Sequence, residues 1–285
     1  MKKLIVNADD FGLSGSVNRG IIECFQKGIV TSSTLMPNMP WFDDAVFLAK
    51  KNPGLGVGCH LNLYRGRPIL PAREIPSLVN KKGFFFASFE LVKRIYLGKI
   101  NPREVENELS AQIQKIQDAG IEITHLDSER HFHCFPVIAP VVAKLARDFG
   151  IFKARLPREK WNLKNGAIIF SPQFYKMRYL ASRSRSLAAS FRKYGIKFVD
   201  NFYGILYSGK LDQSILANLL AQIPDGISEL MVHPGYVDHE LRQNALELSI
   251  HLLASREQEL RVLTSPEIIQ KVKELNIELV NYRDL

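Results

Sequence analysis

The densest chemistry in this chain lies in nine residues. His125-Leu126-Asp127-Ser128-Glu129-Arg130-His131-Phe132-His133 places His, Asp, Glu, His and His at every second position. In an extended backbone alternate side chains share a face, so all five would point one way. Three of the chain's seven histidines fall here. Imidazole nitrogens converging with carboxylate oxygens at a strand end suit a mononuclear divalent-metal site with one position open to water. The competing reading is a surface hairpin with scattered polar residues, which leaves the histidines without a use.

Other polar residues recur where apolar runs stop. Asn7-Ala8-Asp9-Asp10 puts two adjacent carboxylates after a β-prone run, and like charges in a partly buried place repel. The plain alternative has one carboxylate capping the next helix and the other in solvent. In Gly58-Cys59-His60-Leu61-Asn62-Leu63, His60 and Asn62 share a face; the alternative there is a satisfied core histidine. Leu230 to His233 is another apolar run ending in a histidine, followed by Pro234-Gly235-Tyr236-Val237-Asp238. Arg155 closes the run Phe152 to Leu156. Gathered at one mouth, these five strand ends supply metal ligands, a spare carboxylate, a spare histidine and a cation. That set suits metal-assisted hydrolysis.

The elements that must position them alternate between short β-prone runs and longer helical ones. Strands are expected at 3–8, 29–36, 56–63, 121–127, 152–156, 197–201, 229–233 and 261–264. Helices are expected from Ser14 or Ser16 to Gly28 and over 42–51, 102–119, 137–149, 211–222 and, mostly, 239–260. Residues 68–83 read as a proline-rich loop. Ser265-Pro266-Glu267 has the form of a helix start. Strands alternating with helices, without a linker or an internal repeat, favour an α/β fold with a parallel sheet closed as a barrel or nearly so. In such folds the chemistry sits where strands end.

The chain has 285 residues, of which 46% are hydrophobic and 24% charged, which excludes a disordered or fibrous protein. No apolar run approaches a membrane span. The start, MKKLIVNADD, lacks the apolar core of a secretory signal, so Met1 is expected to open the mature domain and the protein to be cytoplasmic. Cys24, Cys59 and Cys134 are scattered and odd in number, which suits a reducing compartment and argues against a cysteine zinc site.

The quoted runs resemble the motifs of the YdjC-like carbohydrate deacetylase family. N-A-D-D-F-G-L-S at 7–14 is similar to its opening motif and G-C-H-L-N-L at 58–63 to its second. H-L-D-S-E-R-H-F-H at 125–133 is similar to the third, and H-P-G-Y at 233–236 to the last. The resemblance extends from residue 3 to about 265. R-L-P-R-E at 155–159 is also similar to the branch associated with hopanoid biosynthesis. The family's layout is similar to that of the polysaccharide deacetylases, so the resemblance implies a distorted (β/α) TIM-like barrel. It further implies removal of an acetyl group from an N-acetylated sugar with one divalent metal ion. By this resemblance Asp9 is the general base, Asp10 a metal ligand and His60 a second ligand. The third ligand in better-known members is a histidine at the position held here by Glu129. Either Glu129 ligates, which favours Mg²⁺ or Mn²⁺, or His131 reaches in, which suits Zn²⁺ better.

The mechanism expected on this basis has Asp9 take the proton of the attacking water and His233 protonate the leaving amine. Arg155 orients Asp9 or binds substrate. One rival is a metal-free glycosidase using paired carboxylates such as Asp9 and Asp127; a second is a non-catalytic basic nucleic-acid-binding protein. The net charge is +9. Between Gln173 and Val199 stand Lys176, Arg178, Arg183, Arg185, Arg192, Lys193 and Lys197, with no acid and with aromatic residues interleaved. The whole of 1–285 reads as one domain with a basic helical insertion at about 173–196. That segment is either a solvated helix face or a membrane-peripheral contact with anionic lipid, bringing the enzyme to a lipid-linked sugar. The expected partners are the N-acetylated sugar and that membrane surface. A homodimer is compatible with the chain, and no nucleic acid is expected.

Overall fold

A run such as Leu4-Ile5-Val6, apolar on consecutive residues, has to be covered on both faces, and a parallel sheet flanked by helices provides that cover. The computed structural model describes residues 1–160, 171–243 and 250–285. Its strands are β1 (Lys2–Phe11), β2 (Ser32–Leu35), β3 (Gly56–Leu61), β4 (Leu126–Ser128), β5 (Asn201–Tyr203), β6 (Gly226–Val232) and β7 (Ile277–Leu279). They lie in the order β4-β3-β2-β1-β6-β5, with β7 added to β1, and every pairing is parallel. Single parallel bridges from Leu126 to Ala154, Lys153 to Lys197 and Glu159 to Phe202 link the two ends of this path. The result is the expected distorted barrel, regular through β1, β2, β3 and β6 and held by isolated bridges elsewhere.

The helices are α1 (Gly15–Lys27), α2 (Phe42–Lys51), α3 (Ser88–Tyr96), α4 (Pro102–Asp118), α5 (Ala139–Asp148), α6 (Pro172–Lys193), α7 (Gln213–Ala221), α8 (His239–Gln243), α9 (Ile250–Leu263) and α10 (Pro266–Glu274). Ser14, not Ser16, caps α1, accepting from the Val17 N–H at 3.1 Å. Such a cap contributes about 1 kcal/mol. Ser265 caps α10 in the same way. Along α6, Met177, Leu180, Leu187, Ala188 and Phe191 are buried, while Arg178, Arg185, Arg192 and Lys193 are exposed.

Three expectations change, the first being that the strand expected at 121–127 shrinks to Leu126–Ser128. Residues 261–264 are not a strand: α9 continues through Leu263, because Leu260 and Leu263 prolong its buried stripe. The last strand is Ile277–Leu279, which pairs with β1 from Lys2 to Leu4. The runs at 152–156 and 197–201 meet their neighbours at single bridges, and the ladder of β5 starts only at Asn201. Part of the helix expected over 239–260, residues 244–249, lies outside the described residues.

Candidate active site

The C-terminal ends of β1, β3, β4 and β6 open into one cleft of about 460 Å³. Asp9, Asp10, His60, Glu129, His131 and His233 all line it. Consecutive strand residues normally face opposite ways. Asp10, however, has φ 74°, and the register of β1 on β2 shifts between Ala8 and Phe11. This bulge turns both carboxylates towards the cleft.

His60, 2% exposed, is aimed by its neighbours. Its Nδ1 donates to Asp127 Oδ1 at 2.7 Å, with Thr34 Oγ1 at 3.1 Å. That leaves Nε2 facing Asp10 Oδ1 at 3.9 Å and Glu129 Oε2 at 3.5 Å. Asp10, His60 and Glu129 each offer a ligand atom, and these atoms lie within 4.8 Å of one another. A carboxylate behind an imidazole fixes tautomer and ring orientation in metal sites. Glu129 Oε2 is buried without a hydrogen-bond partner, while Oε1 accepts from Tyr64 Oη at 2.9 Å and Arg65 at 3.2 Å. An orphaned carboxylate oxygen beside a bare imidazole nitrogen is the donor set a divalent cation satisfies, so these three residues fit one.

Asp9 and Arg155 form a separate assembly. Arg155 donates to both Asp9 oxygens at 2.7 Å. Its Nη1 also lies 2.6 Å from Asp127 Oδ2, and its Nε donates to Glu229 Oε1 at 2.8 Å. Burial alone would raise the Asp9 carboxyl, but the Arg155 guanidinium overcomes it and holds the group well below the usual carboxylate range. Burial likewise opposes ionisation of Glu129, and the Arg65 guanidinium overcomes it and holds the carboxyl well below the usual carboxylate range. Asp9, His60 and Asp127 are a second close group of ligand atoms, but there both carboxylates are already engaged by the Arg155 guanidinium.

The 125–133 segment does not stay extended. β4 ends at Ser128, and Arg130 and His131 adopt left-handed φ of 51° and 62°. The five polar side chains therefore separate. Asp127 and Glu129 meet His60, and His131 lines the cleft edge-on to Phe202, outside both close groups of ligand atoms. His133 is tied to Ser128 Oγ at 2.6 Å and the Arg155 carbonyl at 3.2 Å, and burial pushes it down to about 3. His125 lies beneath the site with its ring on Tyr282.

His233, half-buried, is held by its backbone: its N–H donates to Glu259 Oε2 at 2.6 Å. The following turn packs tightly on α1, where a Cβ at Gly20 would lie 2.6 Å from Gly235 Cα. Several residues here carried no local signal. Arg256 of α9, fully buried, pairs with Asp10 across 246 positions of sequence. Tyr64 and Arg65 follow the His60 strand end directly, and that adjacency alone could have pointed to them. Glu229 stands at the start of the strand expected at 229–233 and carries no signal of its own.

A parallel α/β barrel with a metal-fitting Asp-His-Glu set beside an Arg-clamped aspartate defines the class of the molecule. The YdjC-like protein family model matches residues 3–274, and the chain belongs to that family. A protein of Geobacillus stearothermophilus named carbohydrate deacetylase is 35% identical, covering 98% of this chain and 96% of its own. Another of that name, from Thermoanaerobacter pseudethanolicus, is 32% identical over 99% of this chain and 98% of its own. A crystal structure of an Enterococcus faecalis protein proposed to cleave cellobiose phosphate superposes with TM-score 0.80 at 29% identity. It covers 99% of this chain and 98% of that one.

Proposed function

We propose that this chain is a divalent-metal-dependent carbohydrate N-deacetylase acting on an N-acetylglucosamine-type sugar. The observation that carries the reading is the convergence of Asp10 Oδ1, His60 Nε2 and the orphaned Glu129 Oε2 beside Asp9 in one cleft. Relatives bearing the name carbohydrate deacetylase along nearly their whole length support it.

Asp10, His60 and Glu129 would hold the ion, and two carboxylates with one imidazole favour Mg²⁺ or Mn²⁺ over Zn²⁺. When bound, it supplies a Lewis acid that polarises the acetamide carbonyl and acidifies water. Asp9 takes the water's proton as the oxygen attacks the acetyl carbon. Arg155 keeps Asp9 ionised and fixes the plane of its carboxylate. His233, which follows the end of β6 beside β1, gives its proton to the leaving nitrogen, since an amine cannot depart as an anion. His131, neutral and on the cleft wall, is left to contact the sugar.

Acetate release from N-acetylated sugars tests this reading. Activity should vanish after chelation and return with Mg²⁺ or Mn²⁺; full activity in the chelated protein would sink it. The glycosidase rival fares badly. Asp9 and Asp127 clasp the same guanidinium, and Asp127 is fully buried, whereas a glycosidase needs two carboxyl groups flanking a bound sugar.

A lipid-linked sugar is the finer substrate we favour. Phe89 (81% exposed), Tyr96 and Leu97 at α3 and Tyr175 of α6 are exposed, as are Lys93, which pairs with Glu90, and Arg178 and Arg185. The two helices meet at Tyr96 and Tyr179, and both border the cleft, through Ser88 under Arg130 and through Lys176 in its wall. Exposed aromatic residues among cations suit an anionic membrane surface. Among the described residues no helix is long and apolar enough to cross a membrane, so the contact would be peripheral. Cosedimentation with anionic vesicles should be salt-sensitive and weaken when Phe89 and Tyr175 become Ser. Equal binding to neutral and anionic vesicles, or none, would leave a free sugar as the substrate.

A further inference from the structure

The C-terminal residues lie far from the cleft in sequence, yet they reach the underside of its base. β7 pairs with the first residues of β1, and the Val280 N–H donates to the Leu4 carbonyl at 3.0 Å. The turn that follows is fastened by a reciprocal cap between Asn281 and Asp284. It carries Tyr282, which is fully buried. The Tyr282 hydroxyl donates to Glu229 Oε2 at 2.5 Å. The other oxygen of Glu229 accepts from Arg155 Nε at 2.8 Å. The two terminal nitrogens of Arg155 hold the two oxygens of Asp9.

The chain of contacts has a mechanical consequence. A guanidinium is planar, so fixing Nε as well as both terminal nitrogens fixes the plane in which Asp9 is presented. Glu229 can do this only if its own rotation is stopped, and the Tyr282 hydroxyl is the group on its second oxygen. The phenol ring is itself clamped. It stacks on His125 with centroids 3.6 Å apart and planes 8° from parallel. His125 fits there because residue 58 is glycine: a Cβ would lie 2.4 Å from its Cε1.

We propose that Tyr282 is a positioning residue for Asp9, acting through Glu229 and Arg155, so that the C-terminal turn is a working part of the active site. The proposal rests on the reading of Asp9 as the base. Removing the hydroxyl would leave Glu229 Oε2 buried without its donor and free the carboxylate to rotate.

Tyr282→Phe keeps the ring and its stacking and removes one donor. The variant should fold, melt as a single transition and retain the metal content of the wild-type protein. Its kcat should fall about 10–100-fold, the range for losing a hydrogen bond to a charged group, with KM unchanged. Two further readouts separate positioning from general damage. The Arg155 Nε–H resonance, assigned through Arg155→Lys, should shift and exchange faster with water in Tyr282→Phe. In an Asp9→Asn background, the second change should cost no further rate. Wild-type kcat with an unmoved Arg155 resonance would overturn the proposal, as would an equal loss in the Asp9→Asn background. An active Asp9→Asn protein would instead refute the base reading, while the resonance would still report whether Tyr282 orders Arg155.

Discussion

Asp9 and Asp10 are chain neighbours with different partners and different tasks. Arg155 clamps Asp9 on both oxygens, so it stays ionised and cannot swing towards an ion. Asp10 has Arg256 on one oxygen and leaves Oδ1 facing His60. Substitutions should therefore part them. Asp10→Ala, His60→Ala and Glu129→Ala should each lose bound metal by elemental analysis while remaining folded. Asp9→Asn should keep its metal and lose turnover by about 10²–10⁴-fold, the usual contribution of a general base. His131→Ala should keep the metal too. If it lost metal as Glu129→Ala does, the third ligand would have to be reassigned. Asp127 touches His60 on the far side of the ring, so Asp127→Asn should weaken metal binding about 10–100-fold by titration calorimetry.

At the scale of elements, the site depends on how the ends of strands are bent. The left-handed residues Asp10, Arg130 and His131 stand at the ends of β1 and β4, where regular alternation would scatter the ligands. Gly58 of β3 serves the layer below, leaving room for the His125 ring. Gly58→Ala should force that ring and Tyr282 aside. Strain of this kind costs about 1–3 kcal/mol, to be seen as a lower urea midpoint, and Glu229 would be disturbed as well. An alanine variant as stable as the wild type would show that the stack is not constrained.

For the molecule as a whole, pH reads the balance of buried charges. Asp9 and Glu129 are depressed in the folded state, so their contribution is complete above the unfolded carboxylate range and lost as pH falls through the folded values. Glu159 behaves in the opposite sense. Burial lifts it to about 7, against the Gly204, Ile205 and Leu206 N–H groups it accepts from. Its contribution is complete below 4.5 and declines as pH rises towards 7. The buried His125, His131 and His133 are held neutral and pull the other way below 6.5. The wild-type curve thus mixes opposing slopes, and the difference between two proteins is more informative. Glu159→Gln should be relatively more stable at pH 8 than at pH 5.5 by urea unfolding. A pH-independent difference would mean that Glu159 does not titrate in this window.

Much of this molecule was legible in its residue order. Apolar runs ending in polar clusters located the ends of β1, β3, β4 and β6; the period of apolar residues located α1, α2 and α4, with a serine cap at α1, and Ser265-Pro266-Glu267 located the start of α10. Those signals are local, set by side-chain alternation and by backbone donors that need an acceptor within three residues. The resemblance to a deacetylase family rested on the same short runs. The tertiary structure decided what locality cannot hold. It turned both Asp9 and Asp10 into the cleft through one positive φ, and brought Glu129 rather than His131 to His60 by kinking residues 130–131. It set Arg256 on Asp10 and Tyr282 beneath Arg155. Ion pairs and stacked rings act between surfaces the chain brings together only after it closes, so no spacing along the sequence encodes them.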